Sequence, residues 1–442
     1  MSLRKELFLV LPLLCLLVLL PFWKLLSGQG VVITNDVGVS DIANLQYPLR
    51  FFAGQQWQQG RVPLWTPGVY MGYPLQAEGQ AGVFSPVNLL LYSLLPVPDA
   101  LNAGSLLAFA IAAVGAYLLA RELGTSITGA LLAGFVYAFS GFYVAHVKHI
   151  PIVTTACWVP VVLWLVERGV RGSDGALLAA GLVMGVQWLS GSPQMAYYSA
   201  VFATLYFAGR TWQRRRERSP RRTVPLYALA LVLSVGLAAV QLLPTFQLTA
   251  SSERAGGVSY EFATRFSYAL DNLKTWLYPM ANGTPGTGDL AVSSIFWEDY
   301  GYVGLIPLFL AIVGGVIVAR RSKAAALLYG LLAVTFLLVL GPNTPLFRIA
   351  YQVVPGLAFF RFPQRLLAFV TLFLAVLAGL ALTGLQGWVT TGEGRRTKGG
   401  RPRTKDDGRR TKDGGRRLTA ERRRTASYVL TGVVLALVAV DL

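Results

Sequence analysis

The chain has 442 residues, is 54% apolar and only 14% charged, and has a mean hydropathy of +0.53. That balance excludes a single water-soluble domain, because soluble folds carry about 25% charged residues. The net charge of +18 would point to nucleic acid if it were spread evenly. Instead Lys and Arg cluster in alternate loops, as the positive-inside rule requires of a polytopic membrane protein, so no nucleic-acid partner is expected.

In chain order, the first apolar run follows Arg4 and Lys5 and covers 7–26. It is longer than a signal-peptide core and lacks a small-residue cleavage site, so it reads as a retained span. Further runs long enough to cross a hydrocarbon core of about 30 Å lie at 101–120, 127–145, 150–167, 176–191, 194–209, 224–244, 302–319, 324–340, 366–384 and 427–442. With the N-terminus cytoplasmic, this topology puts Arg121, Arg168, Arg171, the run Arg214 to Arg222, Arg320, Arg321 and Lys323 on the cytoplasmic side. The expected fold is therefore an all-α integral membrane bundle of about 11 transmembrane helices. The apolar stretch Val87 to Val97 is too short to span and is expected to lie at the interface or re-enter. Cys15 and Cys157 fall inside apolar runs and suggest neither a disulfide nor a metal site.

Polar and aromatic residues concentrate in three outer segments, 27–100, 245–301 and 341–365. In the first, Ser40 is placed to cap a helix whose Ile42, Leu45, Leu49 and Phe52 share a face. This predicts an amphipathic helix lying on the membrane, with Asp41 in its first turn and an interruption at Pro48. A loop rich in Pro, Gly and aromatic residues follows. Residues 387–426 differ from the rest: Gly-Arg-Arg-Thr-Lys occurs at 394–398 and again at 408–412. This composition predicts a disordered, basic cytoplasmic linker after a membrane domain of residues 1–386. The final run, 427–442, ends at once after Asp441 and Leu442, so the chain is expected to stop abruptly.

Several short motifs stand at the outer ends of the spans: Asp41-x4-Gln46-Tyr47, G-x-x-P-L-W at 60–65, G-x-P at 72–74 and S-P-x-N at 85–88. They continue as G-F-x-x-x-H at 141–146, W-x-P at 158–160, G-x-P-Q at 191–194, S-x-R at 252–254 and P-G-L-x-x-F-R-x-P-x-R at 355–365. In this order they resemble the YfhO-type bacterial membrane proteins, which are similar to GT-C glycosyltransferases. The resemblance implies a GT-C-like membrane domain with a helical first outer loop. It also implies transfer of a sugar from a polyprenyl-phosphate carrier to an envelope polymer or lipid, outside the cytoplasmic membrane of a bacterium. A second membrane glycosyltransferase supplying the donor would be a further partner. Family members usually continue beyond the point where this sequence ends.

The resemblance makes an acidic residue of the first outer loop the general base toward the acceptor hydroxyl, or the group that orients it. Asp41 fits that role and Asp36 is the second candidate; otherwise Asp41 is a first-turn carboxylate favoured by the helix dipole. Arg361 and Arg365, four apart, would share a helical face and grip the leaving phosphate, with Arg254 and Arg265 as weaker alternatives; snorkelling at the interface is the competing reading. His146 and His149, the only two histidines, stand three apart and could be interfacial, contact substrate or phosphate, or share a metal. Gln46, Tyr47 and Trp65 join them as substrate-binding candidates, the aromatic rings stacking on sugar or lying, as expected of Trp57, in an interfacial belt. Asp36 with Asp41 is not a D-x-D pair, and Glu298-Asp299 has no matching partner nearby in the sequence, so neither an obligatory metal nor a cofactor is expected. Ionisable residues are scarce within the spans, against a proton-coupled transporter, and phosphate-loop, zinc-protease and nucleophile-elbow motifs are missing. A non-enzymatic lipid-linked-sugar transporter or assembly protein, and an inactive fragment, are the other readings.

Overall fold

The computed structural model describes residues 3–32, 40–283, 295–391, 429 and 432–442. Among the described residues the structure is all-helical. One isolated antiparallel bridge, Thr66 to Tyr73, is the sole β-type pairing there. Six helices are long and apolar enough to cross a membrane: Phe8–Leu26, Val97–Glu122, Ile127–Lys148, Ile150–Arg171, Pro220–Ala250 and Pro363–Thr390. The other expected runs are helical too, as Asp174–Leu189, Pro193–Gln213, Leu305–Ala319, Lys323–Val339 and Gly432–Asp441. In lipid a spanning backbone must satisfy its own N–H and C=O groups, which is why every apolar run takes this form.

Pro363–Thr390 is the axis of the bundle: 94% of its apolar window is buried, against 17% for Phe8–Leu26 and 28% for Pro220–Ala250. The two peripheral helices turn Leu, Val and Phe side chains outward, as suits a lipid-facing surface. Because lipid tails are as apolar as leucine, close packing must come from small residues. Gly129 and Gly379 show this: a Cβ on either would run into the carbonyl of the other.

The first outer segment corrects one expectation. Ser40 does cap, its Oγ accepting the Ala43 N–H at a long 3.4 Å, but the helix does not break at Pro48. It opens as a wider π-turn over Ile42–Gln46, closed by the Tyr47 N–H donating to the Ile42 carbonyl, and runs on as Tyr47–Gln58. The register shift leaves Pro48 in a first turn, where its missing N–H breaks no bond. The buried face holds Gln46 and Arg50 beside Ile42 and Leu49, so it is not a purely apolar stripe. The axial helix also continues to Thr391, past the expected linker start at 387, while the rest of that linker, 392–426, and most of the start of the last run lie outside the described residues.

Charges separate the two ends of the bundle. At one end Glu6 pairs with Arg121 at 2.5 Å, and Arg171 reaches Glu122 at 3.6 Å. Arg218 and Arg222 hold Asp174. At the same end buried Glu167 accepts from Arg210 at 2.6 Å, Arg171 at 2.7 Å and Tyr206 at 2.9 Å. The Ile127–Lys148 helix starts beside this end, Arg121 bonding the Thr125 carbonyl, and carries its chain to the opposite end at His146. There Asp441, on the last helix, accepts from the Leu305 N–H at 2.8 Å and from the Tyr302 hydroxyl. It thereby satisfies an otherwise unpaired donor at the start of Leu305–Ala319.

Removing one partner of a buried ion cluster leaves uncompensated charge. We expect Glu167→Ala to cost about 3–5 kcal/mol of stability, read as a lowered unfolding midpoint in detergent. An unchanged midpoint would show that water already reaches Glu167.

Candidate functional site

The site is built where the Ile127–Lys148 helix ends. The chain turns at Ser140 and Gly141, whose N–H donates to the Tyr302 carbonyl at 2.6 Å. Gly141 lies so close to Tyr300 and Tyr302 that no Cβ would fit. One turn later His146 is fully buried, its ring 4.1 Å from that of Phe142. Its Nδ1 sits 2.9 Å from the Phe142 carbonyl, and because a carbonyl only accepts, that nitrogen carries the proton.

The other nitrogen, Nε2, faces the Glu298 carboxylate at 3.4 Å, an ion-pair distance without hydrogen-bond geometry. Glu298 stands on the single turn Phe296–Asp299 and is almost wholly buried. Arg365 donates to it from Nη2 at 3.0 Å and Nε at 3.1 Å, and from Nη1 to Gln194 Oε1 at 2.8 Å. Gln194 in turn donates to the Arg361 carbonyl at 2.5 Å and to the Tyr198 hydroxyl at 3.0 Å. Beside it Asp299 accepts from Asn272 at 2.8 Å and from Gln364 at 3.4 Å. Burial alone would raise the Glu298 pKa, but Arg365 and His146 outweigh it and hold the carboxyl well below the usual range.

On the open side, His149 Nε2 lies 3.4 Å from Asp41 Oδ2, and its ring is 5.4 Å from that of His146. Trp297 flanks His149 at 6.0 Å, and Lys148 sits over the Trp297 ring at 3.6 Å. Asp41 is half-exposed. The His149 hydrogen bond lowers its pKa, partial burial opposes this, and the charges of His149 and Lys148 add to the lowering. At the far end, Arg361 and Arg365 approach the same Phe362 ring, at 4.5 and 4.8 Å, and Arg361 also lies 5.5 Å from the Phe262 ring. Burial lowers the Arg361 pKa, and the like charges of Arg254, Arg365 and Arg265 lower it further. Among the described residues Arg254, Arg265 and Arg361 have no carboxylate within ion-pair distance.

Asp41, His149, His146, Arg365 and Arg361 are thus linked contact by contact, with Arg254 beside the last. The expected shared helical face of Arg361 and Arg365 is not there. Phe362 has φ +63°, and a helical turn begins only at Pro363, so Arg361 precedes the helix and points to the aromatic face. Gln46 and Tyr47 stand apart from the row: Gln46 holds the Arg50 guanidinium, and Tyr47 stacks on Phe51 at 6.0 Å. Trp65 lies over Gly72 in the exposed loop beyond. Asp36 lies outside the described residues. Glu298 is the residue that sequence reasoning passed over; its partners come from positions 146 and 365, far away in the chain. Gln194 was visible only as the end of G-x-P-Q. Among the described residues no three His, Cys, Asp or Glu side chains converge as metal ligands.

The profile of one family of unknown function matches residues 90–441. The chain belongs to this family, DUF6541. No curated protein matches this DUF6541 chain in sequence. Its structure is similar to the Archaeoglobus fulgidus oligosaccharyltransferase in its apo form, with a TM-score of 0.46, 14% identity, and coverage of 100% of this chain and 56% of that one. The same enzyme tethered with an acceptor peptide containing the NVT sequon gives 0.47, 14%, 100% and 55%. The archaeal oligosaccharyltransferase AglB from Archaeoglobus fulgidus, in complex with an inhibitory peptide and a dolichol-phosphate, gives 0.42, 14%, 96% and 55%. This DUF6541 chain thus spans about half the length of those chains, and at these TM-scores the likeness bears on neither chemistry nor substrate. The YfhO-type pattern of motifs stands beside the DUF6541 match as a resemblance.

Because Glu298 binds its proton less readily when folded than an ordinary glutamate of pKa 4.5, its contribution is fully present above that value and is lost as pH falls below it. We expect the unfolding midpoint in detergent to fall from about pH 5 downward, and Glu298→Gln to flatten that slope. An unchanged slope in the variant would remove Glu298 as its source.

Proposed function

We propose that this chain is a membrane glycosyltransferase that moves a sugar from a polyprenyl-phosphate carrier onto a hydroxyl of an envelope polymer or lipid. The reaction would take place at the outer face of a bacterial cytoplasmic membrane. The observation that carries this reading is the contact-linked row from a half-exposed carboxylate, Asp41, to a group of arginines around Arg361 with no carboxylate within ion-pair distance among the described residues. The first suits an acceptor hydroxyl and the second an anionic leaving group. The likeness of the motifs to GT-C proteins supports the same assignment. The clustering of loop arginines at the opposite end supports an outward-facing site.

In the proposed step the acceptor oxygen attacks the anomeric carbon, and the bond from that carbon to the phosphate oxygen breaks. The hydroxyl proton passes to Asp41, and the polyprenyl phosphate leaves with the bonding electron pair. His149 engages Oδ2 of Asp41 and leaves Oδ1 for the acceptor. A carboxylate of lowered pKa is a weak base, so it orients the hydroxyl first and takes the proton only as the new bond forms. Arg365 is committed to Glu298 and Gln194, which makes it a positioning residue. The developing phosphate charge falls to Arg361, with Arg254 and Arg265 behind it.

We expect Asp41→Asn to lower kcat/KM for transfer from a polyprenyl-phosphate sugar about 10²–10⁴-fold with donor affinity nearly kept. Arg361→Ala should instead weaken donor binding by about 1.5–3 kcal/mol, roughly tenfold or more. Transfer indifferent to Asp41 would remove it from the mechanism. Donor binding without transfer by the unaltered chain would favour the transporter or assembly reading.

A further inference from the structure

A second feature lies in the first outer loop, away from the row of site residues. Residues 62–77 contain no Asp, Glu, Lys or Arg. Within them Thr66 and Tyr73 exchange backbone hydrogen bonds of 2.9 and 2.8 Å, closing a small hairpin. Its tip is unusual for a water-facing turn. Tyr70 and Met71 take left-handed backbone conformations, φ +48° and +60°, that glycine or asparagine would ordinarily fill. Both side chains are held outward, 89% and 101% exposed, and Val62, Leu64 and Trp65 are exposed on the same hairpin.

The base of the hairpin is pinned to a membrane-spanning helix. Pro244, inside Pro220–Ala250, has no N–H and leaves the Val240 carbonyl without its helical donor. Gln76 supplies that donor at 2.8 Å. The link is reciprocated: Gln241 donates to the Gln76 carbonyl at 2.5 Å, and Thr245 to that of Ala77 at 2.8 Å. The helix has 31 residues, about 46 Å at 1.5 Å per residue, against a hydrocarbon core of about 30 Å. Val240 lies about 15 Å from the Ala250 end, which is several ångströms inside the core edge if the helix is centred. Leu243 and Phe246, about one and two turns further toward the Ala250 end, are exposed on the surface of the helix.

We propose that hairpin 62–73 is a lipid anchor, inserting Tyr70 and Met71 into the boundary between headgroups and acyl chains of the adjoining phospholipid leaflet. An uncharged, aromatic-rich tip on a hairpin whose base is fastened near the core edge matches the chemistry of the interface, where Tyr and Trp are favoured. The anchor fixes the height of the first outer loop, and with it Asp41, relative to the membrane plane.

The test reads position, not turnover, so it stands apart from the proposed activity. Met71→Cys, in a full-length chain also carrying Cys15→Ala and Cys157→Ala, is labelled with an environment-sensitive fluorophore and placed in phospholipid nanodiscs. We expect the label to lose more fluorescence to doxyl-labelled phosphatidylcholine than to aqueous iodide. The exposed outer-loop control, Glu253→Cys, should do the reverse. Stronger quenching by iodide at position 71 would overturn the proposal. Protection from both quenchers would also overturn it, because a protein surface would then cover the tip.

Discussion

A carboxylate with no water to solvate it must find a cation, and the end of the bundle that carries Asp41 is organised around that demand. Glu298 is almost wholly buried, where an unpaired charge would cost several kcal/mol. Arg365 pairs with it from the start of one spanning helix, the His146 ring lies beside it from the end of another, and Gln194 fixes Arg365 from Pro193–Gln213. Residues from four distant stretches of sequence therefore have one favourable arrangement. That arrangement places His149, and through it Asp41, at the open edge of the site.

The same logic of satisfaction runs through the rest of the molecule on the scale of the backbone. Where Pro244 removes a donor from a spanning helix, Gln76 of the outer loop provides one. Where Pro48 would interrupt a helix, a π-turn moves it to a position that needs no donor. Loops that in water could bond to solvent are here tied to the helices they cover, so the irregular outer layer is as specified as the helical one.

Much of this was legible from the residues alone. Apolar runs announce the helices because lipid permits no other spanning structure, and arginine placement separates the two ends. His146, His149, Arg361 and Arg365 were marked as polar groups at the mouths of spans, and Asp41 through the resemblance of its loop to GT-C proteins. What could not be read was pairing across distance. Glu298 looked unpartnered because its partners, Arg365 and His146, are 67 or more positions away, and Arg361 and Arg365 looked like helical neighbours because the left-handed turn at Phe362 leaves no mark beyond the proline after it. Pro48 misled for a related reason: a proline signals a break, while the shift of register that absorbs it is a property of the surrounding packing.

The bond between Asp441 and the Leu305 N–H joins residues 136 positions apart, and it has a consequence for the order of assembly. The segment that runs from Glu298 through Tyr302, against which Gly141 and then His146 are seated, gains this fastening only when synthesis has passed residue 441. Until then the helix that begins at Leu305 enters the bilayer with an open N-terminal turn. An intermediate in which residue 441 has not yet been reached would therefore hold that wall of the site by fewer bonds than the folded chain does.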